Sequence, residues 1–225
     1  VVIVGGGFGG VKAALELADD PRFDVTLVSK SADFTYYPSL YRMATGGRRA
    51  GSIIPLRDFF ANKRLTVLVS SAETIDRKAQ TLQLTTGETL SYDSLILSLG
   101  VVTNYFGIPG LADFSYGIKS AAEVQRFKKH LHDQLINERQ PDLNYIVVGG
   151  GPTGIELAGA LPGYLRRTMR SHGIRGRAVH VDLVEAAPRL LPRLPRDASR
   201  LITRRLRRLG VRVYAKSAVQ GESAD

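Results

Sequence analysis

The sequence predicts an α/β protein with two βαβ units and a small antiparallel meander inserted in the first. Three observations predict it. A glycine-rich turn of one form occurs twice, in "VVIVGGGFGGVKAAL" at residues 1–15 and "YIVVGGGPTGIEL" at 145–157. Each copy lies between an apolar run and a helical stripe, and another strand-like run follows each. Between the copies come short strand patterns separated by turn residues.

In the first copy, Val1–Val4 is a continuous β-branched run, the pattern of a buried parallel strand. Gly5, Gly7 and Gly10 follow at G-x-G-x-x-G spacing, and Val11, Ala14, Leu15 and Ala18 continue as a helical stripe. "DVTLVS" (24–29) then closes the βαβ unit. In such a turn the first glycine permits a tight bend, and the second lets the backbone approach a pyrophosphate. The third lets helix and strand pack closely, while the helix N-terminus supplies partial positive charge. One such motif is weak. Two copies, each between strand and helix, point to two Rossmann-like dinucleotide-binding domains.

The stretches "RLTVLVSSAETID", "TLQLTT" and "ETLSYDSLILSLG" read as a meander over about residues 64–92, with a turn at Thr86-Gly87. A strand at Ser94–Ser98 then returns to the first sheet. Ser120-x-x-Glu123 is a capping box. The helix behind it carries Val124, Phe127, Leu131 and Leu135 on one face and ends before Pro141. A boundary in this region gives domains of 1–113 and 114–225. In the second copy "NYIVVGG" is the strand and Gly149, Gly151 and Gly154 form the turn. Pro152 sits in the first helical turn, where its missing N–H costs nothing. Thr153–Tyr164 is the start of the helix, and the strand "AVHVDLVE" ends on Glu185.

Composition narrows the chemistry. The chain has no cysteine, so these residues hold no disulfide, thiolate metal site or redox dithiol. The four histidines, His130, His132, His172 and His180, lack metal-ligand spacing, and no metal site is expected. No apolar run reaches the about 18 residues of a membrane span. The chain opens on a strand without methionine and stops after another strand pattern, which reads as trimmed at both ends.

Charge is uneven. Residues 1–140 hold 16 basic and 14 acidic residues, a net of +2, whereas residues 141–225 hold 15 and 7, a net of +8. Much of the excess lies in "PRDASRLITRRLRRLG". There Ala198, Leu201, Ile202, Leu206 and Leu209 form an apolar stripe, Arg200, Arg204 and Arg208 the opposite one, and Gly210 ends the helix. This is a solvated face or a surface for anionic lipid or an acidic partner. No nucleic-acid motif accompanies it, so no nucleic-acid partner is expected.

The segments "GGGFGG" (5–10), "PSLYRMATG" (38–46), "NYFGIPG" (104–110) and "GGGPTGIELAGAL" (149–161) resemble the two-dinucleotide-binding-domain FAD/NAD(P) flavoproteins. Within these the resemblance is to type II NADH dehydrogenases, the single-subunit NADH:quinone oxidoreductases, of which this chain matches about the first half. It implies FAD at the first turn and NADH at the second, with hydride passing to FAD and electrons on to a quinone. Gly5, Gly7, Phe8, Gly9 and Gly10 would then hold the FAD pyrophosphate. Ser98, Leu99 and Gly100 stand where the family has Ala-Thr-Gly against FAD, with the glycine alone retained. Pro38, Leu40 and Tyr41 would lie near the flavin. Gly149, Gly151, Pro152, Thr153 and Gly154 would hold the NADH pyrophosphate. Glu156 falls at the family's acidic position near the nicotinamide and is the catalytic candidate; its other reading is a carboxylate stabilising a helix N-terminus.

Two further positions decide the ribose edges. Where the fingerprint expects an acid after the first unit, this chain has Ser29 with Lys30 beside it. Ser29 would be a neutral ribose partner, while the Ser-Lys pair would also suit a 2′-phosphate. Glu185 closes the second unit and favours NADH over NADPH, a preference that Arg189 weakens. The resemblance also implies a cytoplasmic protein, peripheral on the inner face of a cell membrane through a region outside this chain, with a homodimer among its assemblies. The family's glycine-aspartate motif for FAD and its quinone pocket lie outside these residues too. Alternatives are a soluble NAD(P)H-dependent reductase of ferredoxin or another carrier, and a non-catalytic nucleotide-binding protein whose basic C-terminal face meets a partner.

Overall fold

The computed structural model describes residues 1–137 and 142–223, and Pro141 lies outside them. The chain forms two compact units, Val1–Tyr36 with Ile53–Val102, and Tyr37–Ser52 with Thr103–Asp225. Residues 37–52 thus leave the first unit, and the change after Val102 falls earlier than the expected 113/114 division.

In the first unit β1 (Val2–Val4) leads through the glycine turn into α1 (Phe8–Ala18) and then β2 (Thr26–Ser29). β1 and β2 pair in parallel, Val2 opposite Thr26 and Val4 opposite Val28. β3 (Asp33–Thr35) precedes α2 (Leu40–Ala44), a helix of the second unit. It pairs antiparallel with β4 (Ile53–Pro55), which runs into α3 (Leu56–Phe60). β5 (Thr66–Val69) follows, then β6 (Ala72–Asp76), β7 (Thr81–Leu84) and β8 (Thr89–Ser91), and finally β9 (Leu95–Leu97).

The main sheet has the order β5-β2-β1-β9, all parallel, so β9 returns beside β1 as expected. The meander is shorter than expected. It comprises β6-β7-β8, while Thr66–Val69 joins the parallel sheet beside β2. The physical reason is local: Val67–Val69 is an unbroken apolar run, whereas β7 alternates, with Leu82 and Leu84 buried and Gln83 exposed. Gly87 takes φ +86° in the turn between β7 and β8. Leu82 and Leu84 pack with Val2, Val4 and Val28 on one face of the sheet. Ile3 and Leu27 pack with Val11, Ala14 and Leu56 on the other.

The second unit contains α4 (Leu111–Phe114), α5 (Ala121–Ile136), β10 (Asp142–Val148), α6 (Pro152–Ser171), β11 (Ala178–Glu185), α7 (Arg196–Arg208) and β12 (Val211–Ala215). Ser120 caps α5 by accepting from Glu123 N at 3.2 Å. The Glu123 carboxylate reaches back one residue further than in a standard box, to Lys119 N at 2.6 Å. The parallel sheet β10-β11-β12 carries its core on one face, where Leu131, Leu135, Leu161, Leu165 and Leu206 pack against Val147, Val181 and Leu183. On the other face Ile146 and Val148 remain 63% and 47% exposed. Along α7, Leu206 is buried, but Leu201, expected in the apolar stripe, is 66% exposed. Gly210 follows at φ +90°, as a helix end requires.

Candidate functional site

Each βαβ unit places a three-glycine turn between its first strand and its helix. Gly5 N–H donates to Val28 O at 2.8 Å, and a Cβ on Gly5 would sit 2.1 Å from Ser98 O. With φ at +115° as well, this position requires glycine. A Cβ on Gly10 would sit 1.8 Å from Gly5 O, so the third glycine sets how closely α1 approaches the turn. Gly7 differs: nothing lies within 4 Å of where its Cβ would be. It is the N-cap of α1 and contributes no side-chain capping bond.

The second turn repeats the plan. Gly149 N–H donates to Val184 O at 2.8 Å, and a Cβ on Gly154 would sit 2.0 Å from Gly149 O. Gly149 and Gly151 face open space. Gly151 is the N-cap of α6 and Pro152 occupies the first helical position, with Pro152 and Thr153 exposed. The repeated bond to Val28 and Val184 makes the next residues, Ser29 and Glu185, equivalent.

Those two residues behave differently. The Glu185 carboxylate accepts from Gly150 N and from Ala187 N, both at 2.6 Å. Ser29 is 4% exposed, and its hydroxyl donates to Ser31 O at 2.7 Å. A Cβ on Gly6 would meet Ser29 Oγ at 2.3 Å. Ser29 is therefore tied into its own loop, and Lys30 beside it is exposed. Arg189 is also committed. Its guanidinium donates to Leu194 O at 2.8 Å, to Ser199 Oγ at 2.7 Å and to Pro192 O, so it braces the loop before α7.

The middle glycines, Gly6 and Gly150, were missed by the three-glycine fingerprint. The signal was present in both copies as an unbroken Gly-Gly-Gly.

Among the remaining candidates, Ser98 N–H donates to Val4 O at 2.8 Å, and the Ser98 hydroxyl lies 3.2 Å from a Cβ on Gly9. Ser98 is thus brought to the first turn. Leu99 is 71% exposed and Gly100 has φ +75°. Phe8 is 49% exposed and packs edge-on against Phe34 at 5.0 Å. Pro38, Leu40 and Tyr41 belong to the second unit. Leu40 is 1% exposed, so its side chain fills core space. Pro38 is exposed. Glu156 is exposed on α6, where with Tyr41, Ile155, Leu201 and Ile202 it lines an open groove of about 490 Å³. Among the described residues no group of three metal-ligating side chains occurs, and no helix is long and apolar enough to cross a membrane.

Comparison with known proteins agrees with this geometry. The type II NADH:quinone oxidoreductase NdhA of Mycobacterium tuberculosis is 34% identical, over 97% of this chain and 50% of the relative. The enzyme so named from Staphylococcus saprophyticus is 27% identical over 85% of this chain. The chain spans about half the length of these curated relatives. The solved structure of NDH2 from Plasmodium falciparum in complex with NADH superposes with a TM-score of 0.87 at 23% identity, covering 99% of this chain and 49% of that one. The sulfide:quinone oxidoreductase of Aquifex aeolicus superposes with a TM-score of 0.79 at 24% identity, over 100% of this chain and 52% of that one. The pyridine nucleotide-disulphide oxidoreductase family model matches residues 1–225, end to end, and the chain belongs to that family.

Proposed function

We propose that the chain supplies the two dinucleotide sites of a type II NADH dehydrogenase, with FAD at the first turn and NADH at the second. Electrons would leave to a quinone. The observation that carries this reading is the duplicated turn with Glu185 behind its second copy. The open positions at Gly7, Gly149 and Gly151 fit a pyrophosphate, because a ligand can approach the backbone there without meeting a side chain. FAD, when bound, supplies the hydride acceptor and passes electrons on; the protein supplies binding and orientation.

At the second turn, Gly151 and the first residues of α6 offer backbone N–H groups and the positive end of the helix. Glu185 uses part of its acceptor capacity on Gly150 and Ala187, and a carboxylate has room for further bonds from a ribose diol. Its charge disfavours a 2′-phosphate, a preference that the charge of Arg189, held on neutral acceptors in its loop, weakens. NADH is therefore the preferred nucleotide. Glu156, exposed one turn into α6, is placed by this reading at the nicotinamide end as a positioning carboxylate. A cytoplasmic, membrane-peripheral and homodimeric assembly is part of the same proposal and rests on the resemblance to the relatives.

The test is the visible spectrum of the purified protein, followed by NADH without oxygen. Flavin bands bleached by NADH and restored by a quinone support the reading. A protein that stays colourless when FAD is added overturns it.

A further inference from the structure

We infer that the arginine face of α7 is an electrostatic guide that speeds capture of a dianionic dinucleotide at the second turn. The inference rests on the NADH site proposed above and adds a role for residues outside that site. Between residues 189 and 208 the chain has eight arginines and one carboxylate, Asp197, a net of +7 in one short segment. Arg196, Arg200, Arg204 and Arg208 recur every fourth residue, with a rise of about 6 Å per step, and so form one row about 18 Å long. With Ser199 and Thr203 they line an open groove of about 650 Å³. Among the described residues Arg200–Asp197 is the one ion pair on α7, so most of this charge is not neutralised locally.

The row is joined to the turn by direct contacts. Leu191 N–H donates to Gly150 O at 3.1 Å, and Leu190 lies 2.5 Å from where a Gly150 Cβ would be. Ser199, between Arg196 and Arg200 in sequence, donates from Oγ to Leu190 O and accepts from Arg189. Leu206 is buried on the other side of α7, which fixes the helix against the core. The segment that carries the arginines is thus tied to the second turn through Leu190 and Leu191.

The groove is built as a field and not as a fitted site. Its hydroxyls are used internally: Ser199 on Leu190 O, and Thr203 on Ser199 O at 2.8 Å. Its lining contains no aromatic ring on which a base could stack. Unpaired charge of one sign along an open cleft raises the arrival rate of an oppositely charged ligand by 10-fold or more, over about 8–10 Å at ordinary salt. A dinucleotide, with two negative charges on its pyrophosphate, is such a ligand.

The test is stopped-flow binding of NADH at several salt concentrations. The full protein is compared with Arg200→Gln/Arg204→Gln/Arg208→Gln and with the corresponding triple lysine variant. The chain has no tryptophan, so nicotinamide fluorescence is the readout. Expected are a roughly 10-fold slower association for the glutamine variant at low salt, a flattened salt dependence and an unchanged dissociation rate. The lysine variant should keep the wild-type rate, because steering needs charge and not guanidinium geometry. An unchanged association rate in the glutamine variant overturns the guide, as does an effect confined to dissociation or a loss shared by the lysine variant. An intact rate with lost binding to phosphatidylglycerol-containing vesicles would make the face a membrane contact and overturns it as well. Wild type that binds FAD but no NADH would defeat the NADH site itself, a result separable from all of these.

Discussion

Gly5 donates to Val28 O and Gly149 to Val184 O, both at 2.8 Å, and in both turns the third glycine packs on the carbonyl of the first. The turns then diverge at their flanks. Behind Gly5 stands Ser98, delivered by β9 on the far side of β1, whereas β10 is an edge strand and Gly149 has no such neighbour. Beside Gly6 stands the Ser29 hydroxyl, bonded to its own loop; beside Gly150 stands the Glu185 carboxylate, bonded to the turn itself. Glycine spacing fixes the backbone of the cradle. One side chain at the end of the second strand then fixes how the cradle is braced and what its ribose edge can bind.

The largest effect should come from positions where the two turns agree. Gly10→Val and Gly154→Val each drive a side chain into a carbonyl within 2.0 Å and should cost about 3 kcal/mol or more, read by urea unfolding. Gly7→Ala and Gly151→Ala, which face open space, should change stability by less than about 0.5 kcal/mol and still weaken dinucleotide binding. Equal stability losses for all four would break the division between packing glycine and ligand glycine.

Next come the positions where the turns differ. Glu185→Ala leaves Gly150 N–H and Ala187 N–H without their charged acceptor and should cost about 1–3 kcal/mol, with NADH weakened more than NADPH. Ser29→Ala loses a neutral bond and should cost about 1 kcal/mol. Ser29→Glu would give the first turn the bracing of the second and should tighten FAD by about 1 kcal/mol, seen as flavin retained through dialysis. Clear loss of flavin would show that this edge does not tolerate the second turn's chemistry.

The smallest effect lies in the links from helix to strand. Arg22, hydrogen-bonded to Asp20, holds that carboxyl down at about 2 from its usual 3.8. Because the folded value is depressed, its contribution is present above the unfolded value and is lost as pH falls toward 2. Asp20→Asn should flatten the wild-type loss of stability over that window. The link at residues 172–177 of the second unit contains no carboxylate and should add no matching slope.

Sequence carried the turns well, because the glycine positions follow from backbone sterics and the flanking periodicities are local. It also carried β9, whose apolar run had one sheet to return to. β5 was harder, since three apolar residues in a row fit a meander strand and a parallel strand equally, and pairing with β2 settles the matter. Glu185 was legible as the closing acid, and its bond to Ala187 is local, but its bond to Gly150 spans a chain separation of 35 residues. Arg189 and Leu40 show the limit most directly. Their types and spacing are local, whereas the loop bracing of Arg189 and the core packing of Leu40 are tertiary effects.

The place of β9 beside β1 also governs the order of folding. Val2 pairs with Leu95, 93 positions along the chain, whereas Asp142 pairs with Ala178 and Val181 with Val211, 36 and 30 positions apart. Closing the longer loop costs more chain entropy before any strand contact rewards it, and sheets paired at long range form slowly. During synthesis the amino-terminal strand therefore waits, one edge unsatisfied, until more than ninety further residues have emerged. The later sheet can zip up almost as fast as it is made. The first dinucleotide cradle is thus expected to mature slowly, since Ser98, which lies against Gly5, arrives only with β9.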